Sequence, residues 1–115
     1  MAKLTDTLKT ILSLLKENHI TLSTYPLTKE GVCYQFYCVT DDKIKGQYAF
    51  KVTIVNKNLL DAFRMQEKIS EALLTKGDEK NHSLLSCEVN GGGFYYDNDL
   101  KMYKLSATYA VITKG

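Results

Sequence analysis

The period of apolar and polar positions changes along this chain, and each change marks an element. Leu4, Leu8, Ile11, Leu12 and Leu15 recur at helical spacing, with Lys9, Ser13, Lys16 and Glu17 on the other side. That spacing predicts an amphipathic helix of about four turns. Asn18-His19 ends it, and Ile20 to Tyr25 predicts a short extended segment. Pro26, the only proline, precedes a polar bend from Thr28 to Gly31. Val32 to Val39 (V-C-Y-Q-F-Y-C-V) is rich in β-formers and predicts a strand. The polar loop Asp41 to Gly46 joins it to a second strand, in which Tyr48, Phe50, Val52 and Ile54 alternate with Ala49, Lys51, Thr53 and Val55. Period-2 alternation of this kind buries one face, and two such strands joined by a short polar loop read as an antiparallel hairpin.

The chain is organised around the stretch from Gln47 to Leu74, where that second strand passes almost directly into a helix. Asn58 is placed to cap the helix, since its side-chain oxygen can accept from a first-turn N–H. Asp61, Arg64, Glu67, Lys68 and Glu71 fall in one solvated wedge. Leu59, Leu60, Ala62, Phe63, Met65, Ile69, Ala72, Leu73 and Leu74 spread over much of the remaining circumference, more than the roughly 100° stripe one sheet needs. Either the helix lies deep in its own sheet or its flank also touches another subunit. Leu59, Phe63, Ile69 and Leu73 are the expected core positions. Lys76 to Ser83 predicts a charged loop with Gly77 as the helix stop. Leu84 to Val89 is a third strand, Gly91-Gly92-Gly93 a bulge or bend before Phe94-Tyr95-Tyr96, and Asp97-Asn98-Asp99 a turn. In the closing strand, Leu100 to Ile112, Tyr103, Leu105, Ala107, Tyr109 and Val111 share one face.

The order α-β-β-α-β-β, with room for an extra short strand after the first helix, is that of an α+β domain. Its architecture is an antiparallel, mainly four-stranded sheet with two helices packed on one face. Residues 1–115 read as a single domain, since 115 residues support one core and not two. Two helices cover one sheet face only. Val32 to Val39 is apolar or aromatic on both faces, with Cys33, Tyr37 and Val39 on one and Tyr34, Phe36 and Cys38 on the other. The uncovered face then carries exposed aromatic surface or is covered by something else, and large exposed apolar patches mark interaction sites. Tyrosine is enriched at interfaces.

Composition narrows the reading further. Hydrophobic content of 44% and charged content of 24% are those of a globular domain. A formal net charge of +2, with lysines scattered rather than clustered, gives no nucleic-acid footprint. No apolar run approaches the roughly 18 residues of a membrane span, and no secretory signal is expected at the N-terminus. Cys33, Cys38 and Cys87 are odd in number, which argues for reduced thiols, and core packing is the expected role of all three. Cys33 and Cys38 point to opposite faces of one strand and cannot chelate one metal there. His19 and His82 sit at element ends with no sequence support for a Cys-His nucleophile pair. The acid pairs Asp41-Asp42 and Asp97/Asp99 sit in turns, where Asp is favoured for backbone hydrogen bonding. Gly91 to Gly93 lacks the Lys-Ser/Thr of a phosphate loop. No active site, metal or cofactor is expected.

The whole-chain pattern resembles the tail terminator (tail completion) proteins of long-tailed bacteriophages. The resemblance rests on the N-terminal helix and on a hairpin with a polar tip. Its second strand, YAFKVTIVNKN, runs into the helix LLDAFRMQEKISEALL, and a final acidic turn and aromatic strand follow, DNDLKMYKLSATYAV. Each piece has low specificity; their order and spacing carry the resemblance over nearly the whole chain. The family's acidic residue in the middle of the last strand is replaced here by Ala107 and Thr108. The resemblance implies a non-enzymatic virion structural protein, assembled in the host bacterial cytoplasm. Such a protein forms a hexameric ring at the head-proximal end of the tail tube, ends tube polymerisation and joins the tail to the head connector. The implied partners are further copies of itself in the assembled virion, the tail tube protein and the head–tail connector, with no membrane and no specific nucleic acid. A monomer in solution is also compatible with the family. Asp41, Asp42, Lys43, Ile44 and Lys45 in the hairpin loop, with Tyr34 and Phe36 in the strand before it, are the candidate subunit or tube interface. A solvated loop is the alternative for the first five. Other readings are another phage neck or minor tail (head-closure) protein, a non-viral oligomeric α+β binding module, and a small hydrolase using Cys33 or Cys87.

Overall fold

The computed structural model describes residues 3–24, 27–41, 45–75 and 84–114. Helix α1 (Lys3–Glu17) comes first, then β1 (Ser23–Thr24), β2 (Gly31–Asp41) and β3 (Lys45–Asn56). Helix α2 (Leu59–Ser70) follows and runs on into a single π-helical turn, Glu71–Thr75. Strands β4 (Leu84–Asp97) and β5 (Met102–Lys114) close the described chain. The sheet order is β1-β2-β3-β5-β4. The four long strands pair antiparallel. The extra short strand after the first helix is β1, two residues long and parallel to β2. The α+β architecture is therefore the one the residue pattern implies.

Both helices contribute to one core. Ile11, Leu14 and Leu15 of α1 and Ala62 and Ile69 of α2 pack with Tyr48, Phe50, Val52 and Ile54 of β3 and with Leu105, Ala107, Tyr109 and Val111 of β5. The period-2 alternation assigned these β3 and β5 faces correctly. Helix α1 differs in detail. Leu14 is buried and Leu12 only half-buried, so the buried side is centred on Ile11, Leu14 and Leu15. Thr7 lies one turn before Ile11 and is buried as well. The helix packs against both β2 and the π turn, so its covered side is wider than a sheet alone would need.

The helix ends follow the local chemistry. Asn58 sits in extended conformation, and its Oδ1 accepts from the N–H groups of Leu60 (2.9 Å) and Asp61 (3.2 Å). Helix α1 closes with the His19 N–H on the Lys16 carbonyl (3.0 Å) and the Ile20 N–H on the Leu15 carbonyl (3.0 Å). His19 takes φ 60°, the left-handed turn that this paired closure requires. Ile20 and Leu15 both join the core, so the cap also carries its hydrophobic contact. The side-chain amide of Asn18 donates to the Leu14 carbonyl (2.8 Å).

Two expectations about the core need correction. Phe63 is 36% exposed and Leu59 half-buried, whereas Ile69 and Leu73 are buried as expected. Near its start, α2 turns its Phe63 flank toward the margin of the sheet. There the ring meets Phe94 of β4 edge-on, with centroids 5.9 Å apart, instead of entering the core. Cys38 is exposed, not packed, because it lies beyond the part of β2 that the helices cover; Cys33 is buried. The predicted loop Lys76 to Ser83, with its helix stop at Gly77, lies outside the described residues.

Candidate functional site

The register of the sheet decides which side chains are available for contact. Tyr34 pairs with Val52 and Phe36 with Phe50 across β2 and β3, so both point to the helix-bearing face. They are half-buried. Tyr34 stacks on Phe50 with centroids 5.6 Å apart, and Phe36 stacks on Tyr48 at the same separation. These two candidate interface residues thus form an aromatic margin of the core. Asp41 and Lys45 end the β2–β3 hairpin, with Asp41 opposite Gly46 and Lys45 opposite Lys114. Asp42, Lys43 and Ile44, the tip of that hairpin, lie outside the described residues.

The face away from the helices is divided. At one end Cys33, Thr53, Val55 and Met102 are buried although no helix covers them. Leu27 approaches this end at Gly31. A Cβ added at Gly31, on the same face as Cys33, would meet Leu27 Cδ2 at 2.8 Å. The following bend is tied down by the Lys57 N–H donating to Glu30 Oε2 (3.0 Å). Next to this end, Lys104 Nζ lies 3.2 Å from Asp97 Oδ2. Thr53 Oγ1 and Ser106 Oγ are 3.3 Å apart between β3 and β5. At the other end nothing among the described residues covers Tyr37 and Val39. Val39 lines a shallow hollow there with Gln47, Ala49, Thr108, Ala110 and Ile112.

A second aromatic surface escaped the pattern reading. Phe94, Tyr95 and Tyr96 of β4 are all exposed, and Phe63 and Leu60 (65% exposed) extend the surface onto α2. Tyr96 meets Tyr103 edge-on at 5.1 Å. The signal was present in the chain: Phe-Tyr-Tyr puts aromatics on both faces of a strand, the argument already made for Val32 to Val39. What was missing was the knowledge that β4 lies at the sheet edge.

Of the groups weighed for catalysis, Cys33 and His19 are described, whereas His82 and the Cys87 side chain lie outside the described residues. The Cys33 thiol donates to the Thr53 carbonyl (3.5 Å), and burial raises its pKa, the opposite of what an activated nucleophile needs. His19 is exposed at the end of α1. Among the described residues no group of three or more His, Cys, Asp or Glu side chains could hold a metal ion. No helix among them is long and apolar enough to cross a membrane.

Neither a family model nor a curated protein matches this chain. Its fold does match a solved structure. A chain from the virion of a native gene transfer agent (GTA) particle superposes with a TM-score of 0.58 at 12% identity, covering 91% of this chain and 84% of that one. At that identity the likeness is one of fold.

Proposed function

We propose that this chain is a structural protein of a phage-like virion, a tail terminator that closes as a ring on the head-proximal end of the tail tube and meets the head connector. The observation that carries the reading is the end-to-end fold likeness to a chain of a GTA virion, which spans most of both chains. Two surfaces of exposed aromatics support it, because a subunit that contacts copies on both sides needs two such surfaces. The reading includes no catalytic step, in keeping with a Cys33 thiol that is buried and whose pKa burial raises. The hairpin loop Asp41 to Lys45 is the proposed contact to the tube or a neighbour, where mixed charge sets orientation and selectivity.

The test is assembly. Added to polymerising tube protein, the chain should yield tubes of defined length with extra density at one end. Replacing Asp42, Lys43 and Lys45 by alanine should weaken capping while the domain stays folded. Binding to connector rings without any effect on tube length would move the assignment to a head-closure protein. Binding to neither would remove it from the virion altogether.

A further inference from the structure

Among the described residues the sheet has two open edges, and on each an uncharged aromatic stretch adjoins a register shift, at 38–40 on β2 and 89–92 on β4. On one side β1 pairs only with Cys33 and Tyr34, which leaves the outer edge of β2 from 35 to 41 without a strand among the described residues. On the other side, among the described residues, β4 pairs only with β5. Natural edges are blunted with lysine, proline, inward-pointing charge or β-bulges; here the shifts fall at the ends of the two stretches and leave most of each regular. Residues 35–39 (Gln-Phe-Tyr-Cys-Val) and 92–96 (Gly-Gly-Phe-Tyr-Tyr) hold no charge and no proline. Each edge instead exposes large apolar groups, Tyr37 and Val39 on β2 and Phe94, Tyr95 and Tyr96 on β4.

We infer that copies of this chain join head to tail by strand addition, the β4 edge of one copy pairing antiparallel with the β2 edge of the next. Strand polarity favours this occupant. Three antiparallel pairings separate β2 from β4, so the two outer strands run in opposite directions. Copies set side by side in one orientation therefore present antiparallel edges and keep their helix-bearing faces on the same side. Side-chain facing agrees. Phe36 and Cys38 share the helix-bearing face with Phe94 and Tyr96, while Tyr37 shares the opposite face with Tyr95; Val39, at the register shift, lines the hollow on that opposite face. Aromatic meets aromatic or apolar on both faces, the pairs that stabilise sheets. A two-fold contact of β4 with β4 would cover Phe94 to Tyr96 but leave Tyr37 and Val39 in water; head-to-tail pairing covers both sets. The inference deepens the ring reading and rests on it for closure of the assembly, since a heterologous contact either closes or grows as a filament.

The native thiol of Cys38, exposed on β2, provides the probe. Phe94→Cys and Tyr96→Cys each add a thiol on the same face of β4, and Tyr95→Cys adds one on the opposite face. The full chain, at its highest soluble concentration, is oxidised with copper–phenanthroline and run on a non-reducing gel. Phe94→Cys or Tyr96→Cys should give a ladder extending beyond dimer, and Cys38→Ser in the same background should abolish it. Tyr95→Cys should give none through Cys38. Far-ultraviolet circular dichroism checks that each variant is folded. Dimer alone, an equal ladder from Tyr95→Cys, or no cross-link from folded variants overturns the inference. Tube capping is read separately. A chain that caps tubes without the ladder keeps the terminator reading and loses the edge pairing; a ladder without capping does the reverse.

Discussion

Single residues in this chain are tuned by backbone geometry more than by charge. His19 holds a left-handed conformation at φ 60°, where a Cβ crowds the following carbonyl. Glycine relieves that crowding but has more freedom to lose on folding. His19→Gly should therefore raise stability by roughly 0.5–1 kcal/mol, read as a shift of the denaturant midpoint without a change in slope. Gly92 is the opposite case. A Cβ there would stand 2.5 Å from the Ser106 carbonyl oxygen, so Gly92→Ala should destabilise by roughly 1–3 kcal/mol, the range for forced overpacking. Asp97 organises the β4–β5 turn. The Leu100 N–H holds its carboxyl below the usual range, helped by Lys104 and the Asp99 N–H. A depressed pKa means the folded state gains from the ionised form. The contribution is complete above the unfolded value of about 3.9 and is lost as pH falls through the lower folded value. Asp97→Asn should remove that part of the acid dependence in a pH series of thermal melts. An unchanged acid limb would mean the turn draws nothing from the charge.

Among the elements, α2 separates two uses of apolar residues. Ile69 and Leu73 are buried between helix and sheet, and Ile69→Ala should cost about 2–5 kcal/mol. Phe63 meets one ring at the margin, so Phe63→Ala should cost about 0.5–1.5 kcal/mol, the scale of an aromatic pair. Equal losses in denaturant melts would mean that Phe63 is buried after all. The start of the helix depends on Asn58, whose Oδ1 receives two first-turn N–H groups. The Ser70 and Tyr109 hydroxyls, 2.7 Å apart, tie the end of α2 to β5 beneath it.

For the whole molecule, the sheet is both the core's floor and its means of contact. At one end of the outer face Cys33, Thr53, Val55 and Met102 are buried, and at the other Tyr37 and Val39 are exposed. Tyr37→Ser with Val39→Thr should change folding stability within about 0.5 kcal/mol per site, as exposed substitutions do. It should nevertheless lower self-association in sedimentation velocity at high concentration. A loss of stability without that change would show that these residues serve the fold instead.

Periodicity determined the elements and their faces in β3 and β5, and local side-chain chemistry determined the cap at Asn58, the stop near His19 and the turn at Asp97. Each is set by neighbours within a few residues, where side-chain spacing and local hydrogen bonding suffice. Tertiary structure decided the rest. The order β1-β2-β3-β5-β4 puts β4 at the margin, where Phe94, Tyr95 and Tyr96 are exposed. The same arrangement left Phe63 with a single ring partner among the described residues and drew Tyr34 and Phe36 onto the core. An aromatic residue in a strand reads alike whether its neighbour is another strand or water. Only the long-range pairing of strands, which no local pattern encodes, tells the two apart.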